Sequence, residues 1–304
     1  ACVLAPAAAI GVISAARPIS HVERFNKDVV LYALERGNTI GDALRRAKNR
    51  TAVSPCIGLI GDPALRLSRP ANRVKVTHIN EVAVEESGDV EADVLSRVTV
   101  RGEIVDSTGA LVSDFDGTVF PVVYDREMLS STLANDNAGT EVPFWQQKSV
   151  LYRGSHAVTG GRFEYSFIVP RDVSYRYDYE KLSHYAKSGN EDAAGSFLRL
   201  KLGGLCDSAY ADATAPEVQL FIGDTNFREG GLTGPSPTLL AYFADSIGIN
   251  VGTGLGHDLT AVVDGNPNVL IVLNDLYEQD IADSRRGSVT YKLQGLPAGR
   301  HTVT

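Results

Sequence analysis

The sequence predicts an α/β segment followed by two β-sandwich regions. Three observations predict it. Residues 1–70 alternate strand-like and helix-like patterns. Residues 72–204 carry short runs with a two-residue apolar period, separated by turn chemistry. Residues 205–304 are strand-rich in the same way. At 304 residues, the chain has room for roughly two domains of about 150 residues each.

In the first region, Ala9–Ala15 (AIGVISA) is an apolar run of strand length, followed by Arg17-Pro18. It reads as a buried strand of an α/β sheet. One strand with its helices cannot complete such a sheet. The expectation is therefore that the chain is cut from a longer protein and that the rest of the sheet precedes Ala1. Asn26–Arg36 reads as a helix stopped by Gly37, the residue that best tolerates a left-handed cap. Thr39-Ile40-Gly41-Asp42 has the form of a capping box with Asp in place of Glu. It opens a helix over Ile40–Asn49, whose Ile40, Ala43, Leu44 and Ala47 share one face. Ile57–Ile60 is a short apolar strand closed by Gly61-Asp62-Pro63. The order β-α-α-β is that of the closing edge of an α/β domain.

In the second region, Val74, Val76, Val98 and Val100 alternate with polar residues. Strands are predicted at 97–105, 118–124, 148–153, 162–169 and 197–202. Ser107-Thr108-Gly109, Asp114-Phe115-Asp116-Gly117 and Thr159-Gly160-Gly161 are the turns between them. Leu129–Glu141 is polar and reads as a long loop. In the third region, strands are predicted at Pro216–Ile222, Leu239–Ala244, Thr260–Asp264, Ser288–Leu293 and Arg300–Thr304. The sequence stops inside the last of these, so the second sandwich is expected to be truncated.

Composition narrows the function. The net charge is −8, from 29 basic and 37 acidic residues. No Lys/Arg run exceeds a pair, so nucleic acid is not an expected partner. No apolar stretch approaches the ~20 residues of a membrane-spanning helix. The opening ACVLAPAAAIGV has no basic leading region and is not read as a signal peptide. Cys2, Cys56 and Cys206 are widely spaced, with no CxxC and no Cys/His metal spacing. No cofactor and no metal are expected.

AIGVISAARP, the helix pair and GLIGDPALRL together resemble the C-terminal end of the peptidase domain of gingipain-type, caspase-like cysteine peptidases. The remaining stretches resemble the sortases of the type IX secretion system in Bacteroidota. They are Val100–Gly117, Phe163–Asp172, Lys181–Gly195, Leu202–Gly204, Phe221–Phe227, Asp245–Asp258, Leu273–Tyr277 and Tyr291–Val303. They run nearly end to end in one order, although none is a catalytic motif.

The resemblance implies a caspase-like fold for residues 1–70 and Ig-like sandwiches for 72–204 and 205–304. It implies a cell-surface, outer-membrane-associated cysteine endopeptidase that removes C-terminal signal domains from secreted cargo. Such an enzyme can pass the new carboxyl end to an amine on surface lipopolysaccharide. Its implied partners are that cargo and other type IX secretion components. The Cys nucleophile and His base of this family precede the segment matching Ala9–Ala15. The dyad is therefore expected upstream of Ala1, with no catalytic residue in this chain, which alone is expected to be inactive. The alternative is a non-enzymatic adhesin or scaffolding module of the cell surface.

Within the chain, Arg17, Pro18 and His21 lie on the loop after the first strand. Such loops border ligand crevices in α/β sheets, which makes these residues candidates for the edge of a substrate groove. Cys2 and Cys56 read as packed thiols, and Cys206 has no nearby His to activate it. Asp114–Gly117 resembles the start of a Ca²⁺ loop but lacks the later ligands. It reads instead as an Asx-type turn with Gly117 at positive φ. Gly252–Asp258 (GTGLGHD) is not a dinucleotide fingerprint, because no strand enters it and no helix follows. Its His257-Asp258 pair is a candidate polar loop site. Asp224–Phe227 and Asn274–Tyr277 read as Asx turns. Trp145 is expected to anchor its loop against the sandwich.

Overall fold

A computed structural model describes residues 11–15, 23–35, 37–50, 56–85, 88–135, 140–170, 173, 177–189, 191–204, 214–246, 248–251, 258–266, 270–283 and 285–304. Among them are two α-helices and twenty strands, so the chain is mostly β. It divides into two compact units, residues 1–69 and 70–304.

The first unit contains β1 (Gly11–Ala15), α1 (Glu23–Leu34), α2 (Ile40–Arg50) and β2 (Ile57–Gly61). The predicted order β-α-α-β is present. β1 and β2 pair with each other, antiparallel, in a two-stranded sheet. The expectation of a buried strand holds only in part: Val12 and Ile13 are half-buried and Ser14 is exposed. Two strands alone are too few to bury each other on both faces.

The core of this unit is Phe25, Leu44, Ala47 and Ile57, with Ile13, Val29, Tyr32 and Leu59 packed around it. Cys56, just before β2, is half-buried rather than core. The capping box forms as read. Thr39 Oγ1 accepts from the Asp42 backbone N–H at 3.0 Å, and Asp42 Oδ2 accepts from the Thr39 N–H at 3.4 Å. The bonds that Asp42 accepts, first that from the Thr39 hydroxyl, hold its carboxyl below the ordinary pKa. Gly37 has φ +86°, as its stop role requires.

The second unit begins with β3 (Asn72–Ile79), β4 (Val82–Ala83), β5 (Val90–Asp93), β6 (Arg97–Val105) and β7 (Gly117–Tyr124). Then come β8 (Met128–Ser131), β9 (Pro143–Gln146), β10 (Val150–Arg153), β11 (His156–Val158), β12 (Arg162–Ile168), β13 (Asp178–Ser188) and β14 (Glu191–Gly203). Ten of these form one sheet along the path β10-β7-β13-β14-β3-β6-β12, with β11 on β7, β4 on β3 and β5 on β14. The sheet folds over on itself: Tyr165 of β12 contacts His184 of β13 across its buried interior. The apolar faces thus meet in one core that includes Ile79, Val98, Val100, Ile104, Val119, Leu182, Leu200 and Leu202.

β13 is the longest element with no counterpart in the sequence prediction. Its inward positions are Glu180, Leu182, His184 and Ala186, all 2% exposed or less. Two of the four are polar, so the strand carries no apolar period. In β14, Ala193 and Phe197 face inward, then Leu200 and Leu202. The pairing of β13 with β14 slips between Glu180 and Leu182, and this bulge moves the inward side of β14 from odd to even numbers.

Several glycines serve close approach. A Cβ on Gly195 would sit 2.0 Å from the Val74 carbonyl oxygen, and one on Gly117 2.1 Å from that of Lys187. Gly117 is not at positive φ, contrary to the sequence reading, because it is needed for its missing side chain.

The remaining strands are β15 (Glu217–Ile222), β16 (Thr238–Ala244), β17 (Thr260–Val262), β18 (Leu270–Val272), β19 (Tyr277–Gln279) and β20 (Arg286–Lys292). The order β15-β16-β20-β19 makes a four-stranded antiparallel sheet, and β17-β18 is a separate hairpin. Leu239, Ala241, Phe243, Val251, Ala261, Leu273, Tyr277, Val289 and Leu293 form a second core. The predicted strand at Arg300–Thr304 is reduced to a bridge between Val263 and Val303.

The predicted loop 129–141 also changes. Its start belongs to β8, which pairs with β9 in a two-stranded hairpin. Trp145 is 65% exposed on that hairpin, so it anchors nothing against the sheet.

Candidate functional site

The polar chemistry of the second unit converges where the two cores meet. Tyr152 (β10) stacks on Tyr165 (β12) at 6.0 Å between ring centroids, and His156 lies 5.3 Å from Tyr165. The Tyr152 hydroxyl is 2.7 Å from His156 Nε2, and that of Tyr165 is 2.8 Å from His184 Nε2. Burial pushes both imidazoles down to about 4, so both are neutral at physiological pH. Burial drives the two phenols upward. His184 Nδ1 has no hydrogen-bond partner.

The same ladder joins the two cores. The Tyr152 hydroxyl donates to Gln279 Oε1 of β19 at 3.2 Å. Beside it, Arg153 Nη2 donates to Asp275 Oδ1 at 2.9 Å. Gly154 permits this approach, since a Cβ there would lie 2.2 Å from the Tyr152 hydroxyl.

Glu180 lies on the same inner face and is 2% exposed. Its Oε2 accepts from the Leu202 N–H at 2.7 Å. Burial outweighs that bond and raises the carboxyl to about 8, so it is protonated at neutral pH. Neutral imidazoles, a neutral carboxyl and two buried phenols make a packed polar spine. Through Tyr152 and Gln279 it ties β10 to β19.

On the outer face of the four-stranded sheet is a cleft of about 510 Å³. Gln219, Tyr242, Ser288 and Glu278 cross it in register, one from each strand. Glu217 and Arg286 line it as well.

The sequence-predicted residues are distributed differently. Arg17, Pro18, His21, Cys2, Cys206 and His257 lie outside the described residues. Asp258 is exposed. In Asp114–Gly117, Phe115 is a core residue, 1% exposed, and Asp116 Oδ1 accepts from the Gly160 N–H at 2.7 Å. The segment is thus bound to the Thr159–Gly161 turn instead of to itself. Among the described residues, no group of three or more His, Cys, Asp or Glu side chains is placed to hold a metal. Asp224 does form its Asx turn, accepting from the Asn226 N–H at 2.7 Å. Asn274 is a buried staple that accepts from the Leu259 N–H and donates to the Val251 carbonyl.

A His–Asp pair does exist among the described residues, but it is His301–Asp264. His301 Nδ1 is 2.8 Å from Asp264 Oδ2, and His301 Nε2 is 2.9 Å from the Pro297 carbonyl. Both ring nitrogens are engaged, so the pair fastens residues 297–302 to Asp264 and leaves no base for catalysis. Its partners are 37 residues apart, and no local motif marks them.

The chain is similar to PorU. Dimeric latent PorU from Porphyromonas gingivalis is 29% identical across 88% of this chain, with a TM-score of 0.47. The chain spans 26% of the length of that PorU. Spo0M, a sporulation control protein of Bacillus subtilis, is 10% identical over 74% of this chain and 91% of its own, with a TM-score of 0.28. Alpha-2-macroglobulin of E. coli is 12% identical over 80% of this chain and 14% of its own, with a TM-score of 0.27. The likeness to the last two carries no functional argument. No family model and no curated protein matches the chain. Among the described residues, no helix is long and apolar enough to cross a membrane.

Proposed function

We propose that this chain is the C-terminal, non-catalytic part of a cell-surface cysteine endopeptidase of the gingipain type, a PorU-like sortase. The observation that carries the proposal is the ordered series of sequence stretches from Ala9 to Val303. In this reading, residues 1–70 close a caspase-like domain. The two β regions, pinned together through Tyr152–Gln279 and Arg153–Asp275, serve that domain by engaging cargo and secretion components at the outer membrane.

The chemistry belongs to a His and a later Cys preceding Ala1. The thiolate attacks the carbonyl at the cargo–signal junction, and the signal domain leaves as an amine protonated by the His. The acyl-enzyme then gives its acyl group to water or to an amine on surface lipopolysaccharide. Arg17, Pro18 and His21 border the groove in this proposal.

The test is covalent trapping in the native protein from its source cells. An electrophilic peptide spanning a cargo–signal junction is expected to label a cysteine that precedes Ala1, and residues 1–304 alone are expected to show no turnover. Labelling of Cys2, Cys56 or Cys206, or a native protein with no thiol-dependent cleavage, would sink the proposal in favour of a binding module.

A further inference from the structure

The four-stranded sheet has two edges, and they differ. At one, β19 is joined to β10 through Gln279 and Tyr152. At the other, β15 pairs only with β16 among the described residues. In an antiparallel pair, alternate residues bond the partner strand, and those between turn their N–H and C=O away from it. The Gly223 N–H donates to the Thr238 carbonyl at 2.7 Å, and the register runs on without a shift to Glu217–Ala244. Phe221, Gln219 and Glu217 thus bond β16, whereas Leu220 and Val218 present their N–H and C=O groups to the open edge.

The side chains of the same two residues are open as well. Val218 and Leu220 stand opposite Phe243 and Ala241, on the sheet face that carries the second core. Ile222 packs against that core, but Val218 is 49% and Leu220 44% exposed. Natural edge strands are commonly blocked by a lysine, a proline or a bulge. The six residues of β15 (EVQLFI) contain no Lys and no Pro, and their register holds no bulge. On the other face of the strand, Glu217 and Gln219 border the cleft that Glu278 and Asp280 also line. Arg286 is the basic member of that lining, and Asp283 Oδ2 lies 3.6 Å from its Nε. The cleft is therefore acidic.

We propose that β15 is a docking edge for an extended peptide segment of another protein, one in which apolar and basic residues alternate. The segment adds to the sheet as a fifth strand, and its backbone pairs with the N–H and C=O groups of Val218 and Leu220. Its apolar side chains lie beside those of Val218 and Leu220 and extend the second core. Its Lys or Arg side chains fall on the other face, beside Glu217 and Gln219 where the acidic cleft begins. Side chains of a partner without a free strand would leave the two backbone positions unpaired. A second copy of this chain is the poorer occupant, because its own β15 would bring another Glu217 and another acidic cleft to the same edge. The inference does not rest on the peptidase reading, since the edge is the same whether or not an enzyme precedes Ala1.

Fluorescence anisotropy tests it, with the full chain and a labelled, capped peptide of sequence Gly-Val-Arg-Val-Lys-Val-Gly. Saturable binding that weakens with added salt is expected. Leu220→Pro removes one donor from the open edge and spares the ladder to β16, because that N–H points away from β16. It is expected to weaken binding at least ten-fold with far-UV circular dichroism unchanged. The fully N-methylated peptide keeps every side chain but cannot donate to a ladder, and it is expected not to bind, a result that does not depend on how the variant folds. No saturable binding by the wild type overturns the proposal. So does undiminished binding of the N-methylated peptide, or equal affinity for a peptide with Glu in place of Arg and Lys. A wild-type dimer that Leu220→Pro dissociates would overturn it too, in favour of a second copy at this edge.

Discussion

Tyr165 and His184 meet inside the folded-over sheet with the phenol oxygen 2.8 Å from Nε2, in a buried contact between strands β12 and β13. This pair lets a polar strand run through an apolar core. His184 has one satisfied nitrogen and one that is not, so the Tyr165 hydroxyl gives the ring its hydrogen bond. Tyr165→Phe keeps the ring packing and removes that bond. It is expected to destabilise the second unit by about 1–3 kcal/mol, the cost of a buried polar group left unpaired. Replacing His184 with Leu in that background is expected to recover part of the loss. Urea unfolding of the two single variants and the double variant measures the coupling, and additive losses would show that the pair is not linked.

Stability should peak in a narrow pH range, because the buried groups pull in opposite directions. His156 and His184 are lowered to about 4, below the ~6.5 of an unfolded imidazole. The unfolded chain binds their protons first as pH falls, so their contribution is complete above about 6.5 and is lost toward 4. Glu180 is raised to about 8, above the ~4.3 of an unfolded Glu. The folded chain keeps that proton, so its contribution is complete below the unfolded value and is lost as pH rises through about 8. Thermal unfolding across pH is expected to give a maximum near ~6.5, where the two limbs cross. Glu180→Gln, which stays neutral, is expected to flatten the alkaline limb and to raise Tm in mildly alkaline buffer by several degrees. An alkaline limb identical to the wild type would show that Glu180 ionises freely.

Gly195→Ala is expected to cost more than about 3 kcal/mol or to prevent folding, since its Cβ would fall 2.0 Å from the Val74 carbonyl oxygen. Here β14 and β3 pair in parallel, so neither backbone can retreat without breaking the ladder. Gly234→Ala is the control: nothing lies within 4 Å of its Cβ, and a change of no more than about 0.5 kcal/mol is expected. Denaturant midpoints and soluble yield read both.

The His301–Asp264 contact is expected to behave as a pH-dependent fastening. The bonds to Asp264 and to the Pro297 carbonyl raise the imidazole above its ordinary value, because both nitrogens must donate. The fastening is present in full below about 6.5, the unfolded value, and is lost as pH rises through the raised folded one. The Thr302 amide donates to Asp264 Oδ1. Its hydrogen exchange, corrected for intrinsic rate, should therefore accelerate on the alkaline side, and His301→Gln should remove that step. A protection factor that does not change with pH would refute the mechanism.

Elements governed by neighbours along the chain are legible in the sequence alone. Thr39 and Asp42 are three residues apart and form the predicted capping box. Gly37 adopts the positive φ its helix stop needs. Val98 and Val100 occupy the core positions their period assigns, and Asp224 makes its turn. The β-rich character belongs to this class as well. Local geometry decides such features, and the chain states it in short patterns.

Tertiary structure decides what depends on residues far apart. β13 leaves no trace in the apolar period because two of its inward side chains are polar. They are tolerable only through Tyr165, 19 residues from His184, and the Leu202 N–H, 22 residues from Glu180. Gly117 has the look of a turn residue, yet it is required by the backbone of Lys187 across the sheet. Trp145 reads as a covered anchor and is instead open on a hairpin. The His–Asp pair that forms links residues 37 positions apart. A sequence displays periods and caps because those interactions lie within a few residues, whereas the partner of a buried polar group is chosen by how the sheet folds over on itself.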